Sequence, residues 1–245
     1  MIVISIGLIK ARIDNAKKIV KDLKKSIIKP DRIIFYISKE PWLLDEGIET
    51  PPKINYPKVE FKYVKNIGPL RRVAPIVEEY IDKPNTKIIL LDDDRKVPKK
   101  AIKILVDYSN EHPDYSVGYR GYMINKDYTR EVNYKKRKII QAWEINKPVK
   151  VDVINGGWFN LVKPKFFHEG FIKWQDYLDF GVDRSDESFI AYSLAKKGTS
   201  RYVIPFKSEF KDYPTFGTDL YFCKENRVAK LKQQNTWYNI IKDIK

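Results

Sequence analysis

The first half of the chain alternates between short apolar runs and patterns typical of amphipathic helices. Four runs have the length and composition of buried strands: residues 2–6, 32–38, 59–64 and 87–91. Helical patterns connect these runs, and the connections are short. Strands that alternate with helices in this way are expected to build βαβ units. The sequence therefore predicts an α/β fold, with a mostly parallel central sheet flanked by helices.

Three helices are predicted between and after these strands. The first follows Asp14, a candidate N-cap, and places apolar residues at helical spacing as far as Ile27, with Pro30 as its end. The second follows a turn at residues 66–69 and has Pro75 in its first turn. The third begins near Pro98. Each helix has one apolar face, as expected of a helix that packs against a sheet.

The second half of the chain has a less regular pattern. A helix is predicted from Ser185, its candidate N-cap, to residue 197, and Gly198 is its stop. Further strands are expected at three places: residues 116–122, a pair within residues 150–162, and residues 201–206. Residues 125–138 are polar and basic, which indicates an exposed excursion, and residues 224–245 predict a basic helix. No repeat or low-complexity linker interrupts the sequence, so one domain over residues 1–245 is expected.

The composition favours anionic partners. The formal net charge is +15, from 47 Lys and Arg against 32 Asp and Glu. Such a charge suits nucleic acid, an anionic membrane face or a phosphate-bearing small molecule. The single cysteine, Cys223, excludes an intramolecular disulfide, and it is interpreted as a packed small side chain. The apolar N-terminal run is too short for a signal peptide or a membrane span, so a cytoplasmic location is expected, and peripheral membrane contact stays open.

Asp92, Asp93 and Asp94 directly follow the fourth predicted strand. Ligands of open α/β sheets bind at the carboxyl ends of the strands, so the triplet occupies a ligand-binding position. Adjacent carboxylates repel each other, and a hard divalent cation such as Mg²⁺ or Mn²⁺ relieves that repulsion. The alternative is an acidic turn that caps the helix beginning near Pro98. The buried strand before the triplet favours the metal site.

Charged residues elsewhere are candidates for the same site. Arg12, Arg71 and Arg72 follow strands and are expected near the same sheet edge, where arginine pairs well with a pyrophosphate. Asp186 and Glu187 lie in the first turn of a predicted helix. One of them could act as a general base, although acidic residues at this position are also ordinary partners of the helix dipole.

The segment Asn155-Gly156-Gly157-Trp158 is the remaining candidate. Paired glycines permit either a close approach of the backbone to a ligand or a tight turn. Trp158 could stack on the face of a sugar, or it could fill the core. The sequence does not decide between these interpretations.

Several stretches carry a family resemblance in their order and spacing. They are Ser5-Ile6-Gly7 through Arg12 with Asp14-Asn15, Pro30-Asp31-Arg32-Ile33-Ile34 with Ser38-Lys39, Gly68-Pro69 with Arg72, Asp92-Asp93-Asp94, Gly118-Tyr119-Arg120-Gly121, Val151-Asp152-Val153 with the glycine turn, and Ser185-Asp186-Glu187 with Leu194-Ala195-Lys196-Lys197-Gly198. Together they resemble a family of small GT-A-fold glycosyltransferases found in bacterial polysaccharide clusters and in large algal DNA viruses. The likeness spans most of the chain, and it rests on the ordered set and on no single motif.

The resemblance implies a metal-dependent glycosyltransferase, with an inverting mechanism expected. It implies a nucleotide-diphospho-sugar donor, with a UDP-sugar favoured, and Mn²⁺ or Mg²⁺. Asp94 would be the direct metal ligand, Asp92 would meet the metal, the ribose or the sugar, and Asp93 could serve either role. The residues implied in nucleotide binding are Ser5, Gly7, Arg12, Ser38 and Arg72.

The resemblance also places Gly156, Gly157 and Trp158 at the sugar or acceptor pocket, and it assigns the catalytic base to Asp186 or Glu187. Two departures from the family pattern are visible. Glu187 stands where the family often has a second aspartate, which leaves the identity of the base open. The order Gly-Gly-Trp-Phe replaces a tryptophan between glycines, which leaves the donor sugar open.

By the same resemblance, residues 1–115 would form the nucleotide-binding half, residues 116–210 the acceptor and catalytic half, and residues 211–245 a basic C-terminal segment. The acceptor would be a glycan, a glycolipid or a glycoprotein in the cytoplasm of a bacterium or of a virus host, and no nucleic acid is expected. Three alternatives remain. A nucleotidyltransferase would normally have a Gly-rich phosphate loop, which residues 6–10 match poorly. A nucleic-acid-binding module is motivated by charge alone, and a chain that keeps the fold without turnover is the third.

Overall fold

The computed structural model of the protein describes residues 1–124, 138–180, 182–215 and 244. Within these ranges the strands are β1 (Ile2–Gly7), β2 (Arg32–Ile37), β3 (Val59–Tyr63), β4 (Lys87–Asp92), β5 (Tyr115–Gly118), β6 (Arg120–Met123), β7 (Lys138–Gln141), β8 (Val149–Lys150), β9 (Val153–Ile154), β10 (Trp158–Val162) and β11 (Ser200–Val203). The α-helices are α1 (Asn15–Lys25), α2 (Ala74–Glu79), α3 (Ala101–Glu111) and α4 (Asp186–Lys196). Short 3-10 helices cover Lys10–Arg12, Gly68–Arg72, Ala142–Glu144, Pro164–Phe166 and Glu169–Phe180.

The larger of two sheets has the strand order β3-β2-β1-β4-β10-β5-β11-β8. β1 pairs in parallel with β2 and β4, and β2 pairs in parallel with β3. β1, β2 and β4 are apolar over nearly their whole length because helices cover both faces of the sheet. The predicted α/β fold and its first four strands are confirmed. The strand order reverses between β1 and β4, which creates the crevice where open sheets bind ligands.

Helix α1 packs on the sheet through the predicted apolar face of Ala16, Ile19, Val20 and Leu23. The prediction that this helix continues to Ile27 is wrong. Ser26 has extended backbone angles, so the helix ends at Lys25. Ile27 lies beyond it with 53% of its surface exposed, and Pro30 is too far along the chain to be the residue that ends the helix.

The connection into α2 depends on Gly68. Its φ is +57°, and a Cβ at this position would lie 2.0 Å from the carbonyl oxygen of Asp183. The backbone conformation and the close approach both require glycine. Pro75 lies in the first turn of α2, as predicted.

The single strand predicted for residues 116–122 is two strands. β5 belongs to the large sheet, whereas β6 pairs with β7 and β9 in a separate three-stranded sheet. The break falls at Tyr119, whose ring packs on Phe206 and Phe210 and whose hydroxyl donates to the carbonyl oxygen of Ala101 at 2.7 Å. Burial of this side chain redirects the backbone from one sheet into the other.

The strand pair predicted within residues 150–162 is also different. β9 and β10 flank the glycine turn but do not pair with each other, since β9 joins β6 and β10 joins β4 and β5. The register of β10 shifts between Trp158 and Asn160, and Phe159 has a φ of +56°. This irregularity at the start of β10 directs the glycine turn toward the end of β4.

Helix α4 lies where it is predicted, and Gly198 follows it with a φ of +78°. Ser185 occupies the N-cap position, but its side chain makes no capping hydrogen bond. The strand predicted for residues 201–206 is present but shorter, as β11. Cys223, the expected basic helix of residues 224–245 and nearly all of the expected excursion lie outside the described residues. In the part of the chain that the structure describes, no helix combines the length and apolarity needed to cross a membrane.

Candidate functional site

The aspartate triplet lies at the crevice between β1 and β4. Asp92 is the last residue of β4, and Asp93 and Asp94 follow it in a turn. Arg12 reaches the triplet from the 3-10 helix after β1. Its guanidinium lies 2.8 Å from an Asp93 oxygen and 3.0 Å from an Asp94 oxygen. Arg12 and the three aspartates thus lie together at one edge of the sheet, as predicted from their positions after parallel strands.

Asp93 is the most firmly held of the three aspartates. Besides Arg12, its carboxylate accepts a hydrogen bond from the Ile9 backbone amide at 3.0 Å, and the residue is 3% exposed. Burial raises the pKa of Asp93, and the charge of Arg12 opposes that rise. These contacts tie the end of β4 to the loop after β1, which is a structural role for Asp93.

Asp94 has a different environment. One oxygen pairs with Arg12, but the other, Oδ1, is buried and has no hydrogen-bond partner. The nearest cationic atom, Arg95 Nε, lies 3.6 Å away. Burial and the neighbouring charges of Asp92 and Asp93 raise the pKa of Asp94 to about 7. A buried carboxylate oxygen without a partner is costly, and a bound cation removes that cost.

Arg72 connects the aspartate triplet to helix α4. Its guanidinium forms an ion pair with Asp92 and another with Asp186, the latter at 2.8 Å. Burial would raise the pKa of Asp92, but Arg72 and Arg95 outweigh it and hold that pKa below its usual value. Ser5 donates a hydrogen bond to the backbone carbonyl of Arg72 at 2.5 Å. Ser5 is fully buried. It therefore stabilises the backbone of Arg72 and does not line the crevice, although the resemblance implies a nucleotide-binding role for it.

Arg71 does not join this cluster. It binds the carboxylate of Asp45 at 2.7 Å and the carbonyl oxygen of Leu8 at 2.9 Å. The expected convergence therefore holds for Arg12 and Arg72 on the aspartates, while Arg71 stabilises the neighbouring loop. Consecutive residues of a 3-10 helix point in different directions. The sequence alone does not tell which of Arg71 and Arg72 points toward the aspartates.

A cavity of about 80 Å³ adjoins the cluster. Its walls include Gly7, Ile9, Arg12, Trp42, Asp45, Asn66, Gly68, Pro69, Arg71, Arg72, Asp92 and Asp93. Gly7 is one of these lining residues, whereas Ser38 is buried just after β2, and its hydroxyl accepts a hydrogen bond from the Glu40 amide. The sequence does not indicate Trp42 as a site residue, because residues 39–48 have no regular pattern. Its position shortly after the carboxyl end of β2 was the only available signal.

The two glycines of the turn approach protein groups. A Cβ on Gly157 would lie 1.6 Å from Asp92 Oδ2, and a Cβ on Gly156 would lie 3.0 Å from Arg72 Nη2 and 3.2 Å from Asp186 Oδ2. The turn therefore closes one side of the cluster. The sequence leaves open a close approach of the backbone to a ligand or a tight turn. The structure shows a close approach of the glycine backbone to the side chains of Asp92, Arg72 and Asp186.

Replacing Gly157 by alanine is expected to lower the free energy of unfolding by about 1–3 kcal/mol, because the new methyl group displaces Asp92 from Arg72. Gly156→Ala is the matched control and should cost less, since a Cβ there would lie 3.0 Å from its nearest neighbour, Arg72 Nη2, and not 1.6 Å as at Gly157. Urea unfolding of both variants measures the difference. Equal losses would contradict the packing described for Gly157.

Trp158 lies between two arginines. The guanidinium carbon of Arg95 is 3.8 Å from the ring centroid, and that of Arg120 is 4.7 Å away. Trp143 packs beside it with a centroid distance of 5.7 Å. Trp158 is half-buried, so it is neither a core residue nor an open platform. Its contacts position Arg95, the residue beside Asp94.

The acidic pair at the start of α4 divides into two environments. Asp186 is 3% exposed and bound to Arg72; burial raises its pKa, and Arg72 opposes the rise. Glu187 is half-buried and accepts a hydrogen bond from the Asn155 side-chain amide at 3.0 Å. Of these two residues, only Glu187 has access to solvent and forms no ion pair with an arginine of the described chain. The ion pair and burial of Asp186 suit a structural role. Of the two residues left open as the catalytic base, Glu187 therefore has the more suitable environment.

A segment near residue 212 crosses the loop that follows Asp94. Tyr213 donates its backbone amide to the Asp94 carbonyl oxygen at 2.6 Å, and Asp212 forms an ion pair with Arg95. The Tyr213 hydroxyl bonds Asp22 of α1 at 2.6 Å. No local pattern in the sequence indicates these contacts. They restrain the backbone of Asp94 and the side chain of Arg95.

Protein ligands alone do not form a metal site here: within the described ranges no group of three or more His, Cys, Asp or Glu is arranged to hold a metal ion. The residues nevertheless suit a cation of the magnesium type. Asp94 Oδ1 is a buried carboxylate oxygen without a hydrogen bond, and Mg²⁺ is commonly held by one or two carboxylates together with substrate phosphates. Arg12, Arg72 and Arg95 surround the triplet with cationic groups that suit phosphate.

Comparisons with known proteins identify the fold only. No protein-family model and no curated protein sequence matches the chain. Among solved structures, the chain is similar to the crystal structure of a 4-diphosphocytidyl-2C-methyl-D-erythritol synthase. The TM-score is 0.51 at 11% sequence identity, and the match covers 94% of this chain and 98% of that one. The protein thus shares the α/β fold of that enzyme.

Proposed function

We propose that the protein is a metal-dependent glycosyltransferase that uses a nucleotide-diphospho-sugar donor. The observation that carries this proposal is Asp94 Oδ1, a buried carboxylate oxygen without a hydrogen bond at the crevice between β1 and β4. Arg12 and Arg72 lie on either side of the triplet and would meet the donor diphosphate. The fold and the ordered motifs of the sequence support the same assignment.

The donor would enter by the cavity beside Gly7, Arg12 and Trp42. Asp94 and the donor diphosphate would hold Mn²⁺ or Mg²⁺, with Asp92 as a further ligand or as the partner of the ribose. When bound, the cation would neutralise the negative charge that develops on the departing nucleoside diphosphate. Arg72 keeps Asp92 ionised and oriented, so the chain presents a fixed negative group at the strand end.

Glu187 is the proposed general base of an inverting transfer. Its carboxylate takes the proton from an acceptor hydroxyl, and the hydroxyl oxygen bonds to the anomeric carbon. The bond from that carbon to the diphosphate oxygen breaks, and the nucleoside diphosphate leaves. Asn155 orients Glu187 through the 3.0 Å hydrogen bond, and the same turn packs Gly157 against Asp92. The acceptor would be a glycan or a glycolipid or glycoprotein sugar, and no nucleic acid is required.

Glu187→Gln is expected to lower kcat by about 10²–10⁴-fold, the usual contribution of a general base, with a change in unfolding free energy of about 0.5 kcal/mol or less. Asp186→Asn is the matched control, because it removes the neighbouring charge from a buried ion pair. That control should lose stability and retain more turnover. If Asp186→Asn were the inactive variant and Glu187→Gln the active one, the base would be misassigned.

A screen of nucleotide sugars by thermal shift, with and without Mn²⁺, tests donor binding. Ligands that bind only the folded state raise the melting temperature with concentration. We expect a nucleoside diphosphate or its sugar to stabilise the protein, and UDP compounds are favoured. Stabilisation by none of these ligands at millimolar concentration would reject the proposed donor site.

A nucleotidyltransferase is the second candidate, and the similar solved structure favours it. The name of that enzyme specifies a diphosphocytidyl product. In such an enzyme, a phosphate oxygen of the substrate would bond to the α-phosphorus of a nucleoside triphosphate at the same crevice. The bond from that phosphorus to the β-phosphate oxygen would break, and pyrophosphate would leave. The poor match of residues 6–10 to a Gly-rich phosphate loop stands against it.

A further inference from the structure

A groove of about 420 Å³ runs along the outer face of α1, and its lining is separate from that of the cavity beside the aspartates. The groove lies between the helix and residues 53–56. Its rim consists of five exposed lysines, namely Lys17, Lys21, Lys24, Lys25 and Lys53. Its floor is apolar and is formed by Val20, Ile54 and Tyr56.

Among the residues that the structure describes, no carboxylate pairs with the lysines of this groove. Asp22 is the only acidic residue within α1, and its carboxylate is bound elsewhere, by the Val97 amide at 3.2 Å and the Tyr213 hydroxyl at 2.6 Å. Lys17, Lys21 and Lys24 follow each other about one helical turn apart, roughly 5–6 Å along the axis. Such a row matches a linear molecule that carries repeated negative charges.

We infer that this groove binds an acidic carbohydrate chain, which is the acceptor of the proposed glycosyl transfer; the inference rests on that proposed function. Sugar rings with carboxylate or phosphate substituents combine an apolar face with negative groups. Ile54 and Tyr56 are half-buried and form the accessible part of the floor. Lys24 Nζ lies 5.1 Å from the centroid of the Tyr56 ring, so a sugar ring that contacts Tyr56 displaces this exposed side chain toward the anionic groups that the rim lysines meet. A membrane surface fits less well, because the apolar residues are recessed below the lysines and cannot insert between lipids.

The position of the groove suits an acceptor. Helix α1 follows β1, so its first turn lies at the sheet edge that carries the aspartate triplet. Arg12, shortly before α1, binds Asp93 and Asp94. Residues 53–56 precede β3 and lie toward the opposite edge of the sheet. A chain lying in the groove would therefore reach the aspartates by extending along α1 past Lys17.

The test compares binding of a polyuronate oligosaccharide with binding of neutral dextran by isothermal titration at low salt and without any donor. The wild-type chain should bind the polyuronate and not the dextran. The triple variant Lys17→Ala/Lys21→Ala/Lys24→Ala should bind the polyuronate about tenfold more weakly or worse, because exposed charges attract an anionic chain additively at low ionic strength. Lys65→Ala/Lys147→Ala/Lys197→Ala is the control with the same loss of charge at exposed positions elsewhere, and it should bind as the wild type does.

Three results would overturn the inference. The first is undiminished polyuronate binding by the groove variant, and the second is an equal loss in both triple variants. The third is tighter binding to phosphatidylserine vesicles or to single-stranded DNA than to the polyuronate. Hydrolysis of the sugar donor should be the same in the groove variant and the wild type. Polyuronate binding by a protein that cleaves no nucleotide sugar would support the groove as a carbohydrate site and reject the glycosyltransferase.

Discussion

Asp94→Asn is expected to remove the response of the protein to Mn²⁺ and to lower turnover by about 10³-fold or more, since a cation at a departing diphosphate contributes several kcal/mol to the transition state. Asparagine has the shape of aspartate but lacks the negative charge that a hard cation requires. The substitution changes the one buried carboxylate oxygen of the triplet that has no hydrogen bond in the described structure. The measurement is donor turnover against Mn²⁺ concentration, together with the Mn²⁺-dependent shift of the melting temperature.

Asp212→Asn is the matched control for this prediction. Asp212 pairs with Arg95, the same arginine that lies next to Asp94, but its side chain is far more exposed. The control should keep its Mn²⁺ response. An Asp94→Asn variant with the metal response of the wild type would exclude Asp94 as a ligand and contradict the proposed metal site.

Arg72→Met is expected to cause the largest loss of stability of any single substitution proposed here, about 3–5 kcal/mol, because it leaves the buried carboxylate of Asp186 and the half-buried carboxylate of Asp92 without their cation. Methionine keeps much of the volume and removes the charge. Urea unfolding gives the change in free energy. Lys103→Met is a suitable control, since it breaks an exposed ion pair with Asp107 and should cost less than about 1 kcal/mol.

A double variant separates charge from packing at Arg72. Arg72→Met/Asp186→Asn removes the cation together with one of its anions. If unpaired charge causes the instability, the double variant should be more stable than the sum of the two single changes predicts. Strict additivity would indicate that Arg72 stabilises the fold through packing, and that the contact between β4 and α4 is not electrostatic.

The parts of this protein that the sequence predicts are those with strong local patterns. Residues 87–91 are apolar without interruption, so the strand and the position of Asp92 after it follow from composition alone. Ala16, Ile19, Val20 and Leu23 repeat at helical spacing, and α1 is present. Because parallel strands end at one sheet edge, the approach of Arg12 to the aspartates also follows from the order of elements.

What the sequence does not predict depends on contacts between distant residues. Residues 116–122 have a uniform strand composition, but the demand for a buried ring at Tyr119 divides them between two sheets. Arg71 and Arg72 are chemically identical, and only the fold gives one to Asp45 and the other to Asp186. The pairing of Tyr213 with Asp94 joins segments more than a hundred residues apart and has no local signal.

The decision between the two candidate activities rests on which bond of the substrate is broken. A glycosyltransferase cleaves the bond between the anomeric carbon and the diphosphate and releases a nucleoside diphosphate. A nucleotidyltransferase cleaves within a nucleoside triphosphate and releases pyrophosphate. Both products have distinct ³¹P NMR signals, so one spectrum of a reaction mixture distinguishes them.

The most direct test therefore incubates the protein and Mn²⁺ with a panel of nucleotide sugars in one set of samples, and with nucleoside triphosphates and sugar phosphates in another. The proposed function predicts a nucleoside diphosphate from at least one nucleotide sugar, with none formed by Asp94→Asn. Pyrophosphate from a nucleoside triphosphate, with every nucleotide sugar left intact, would contradict it.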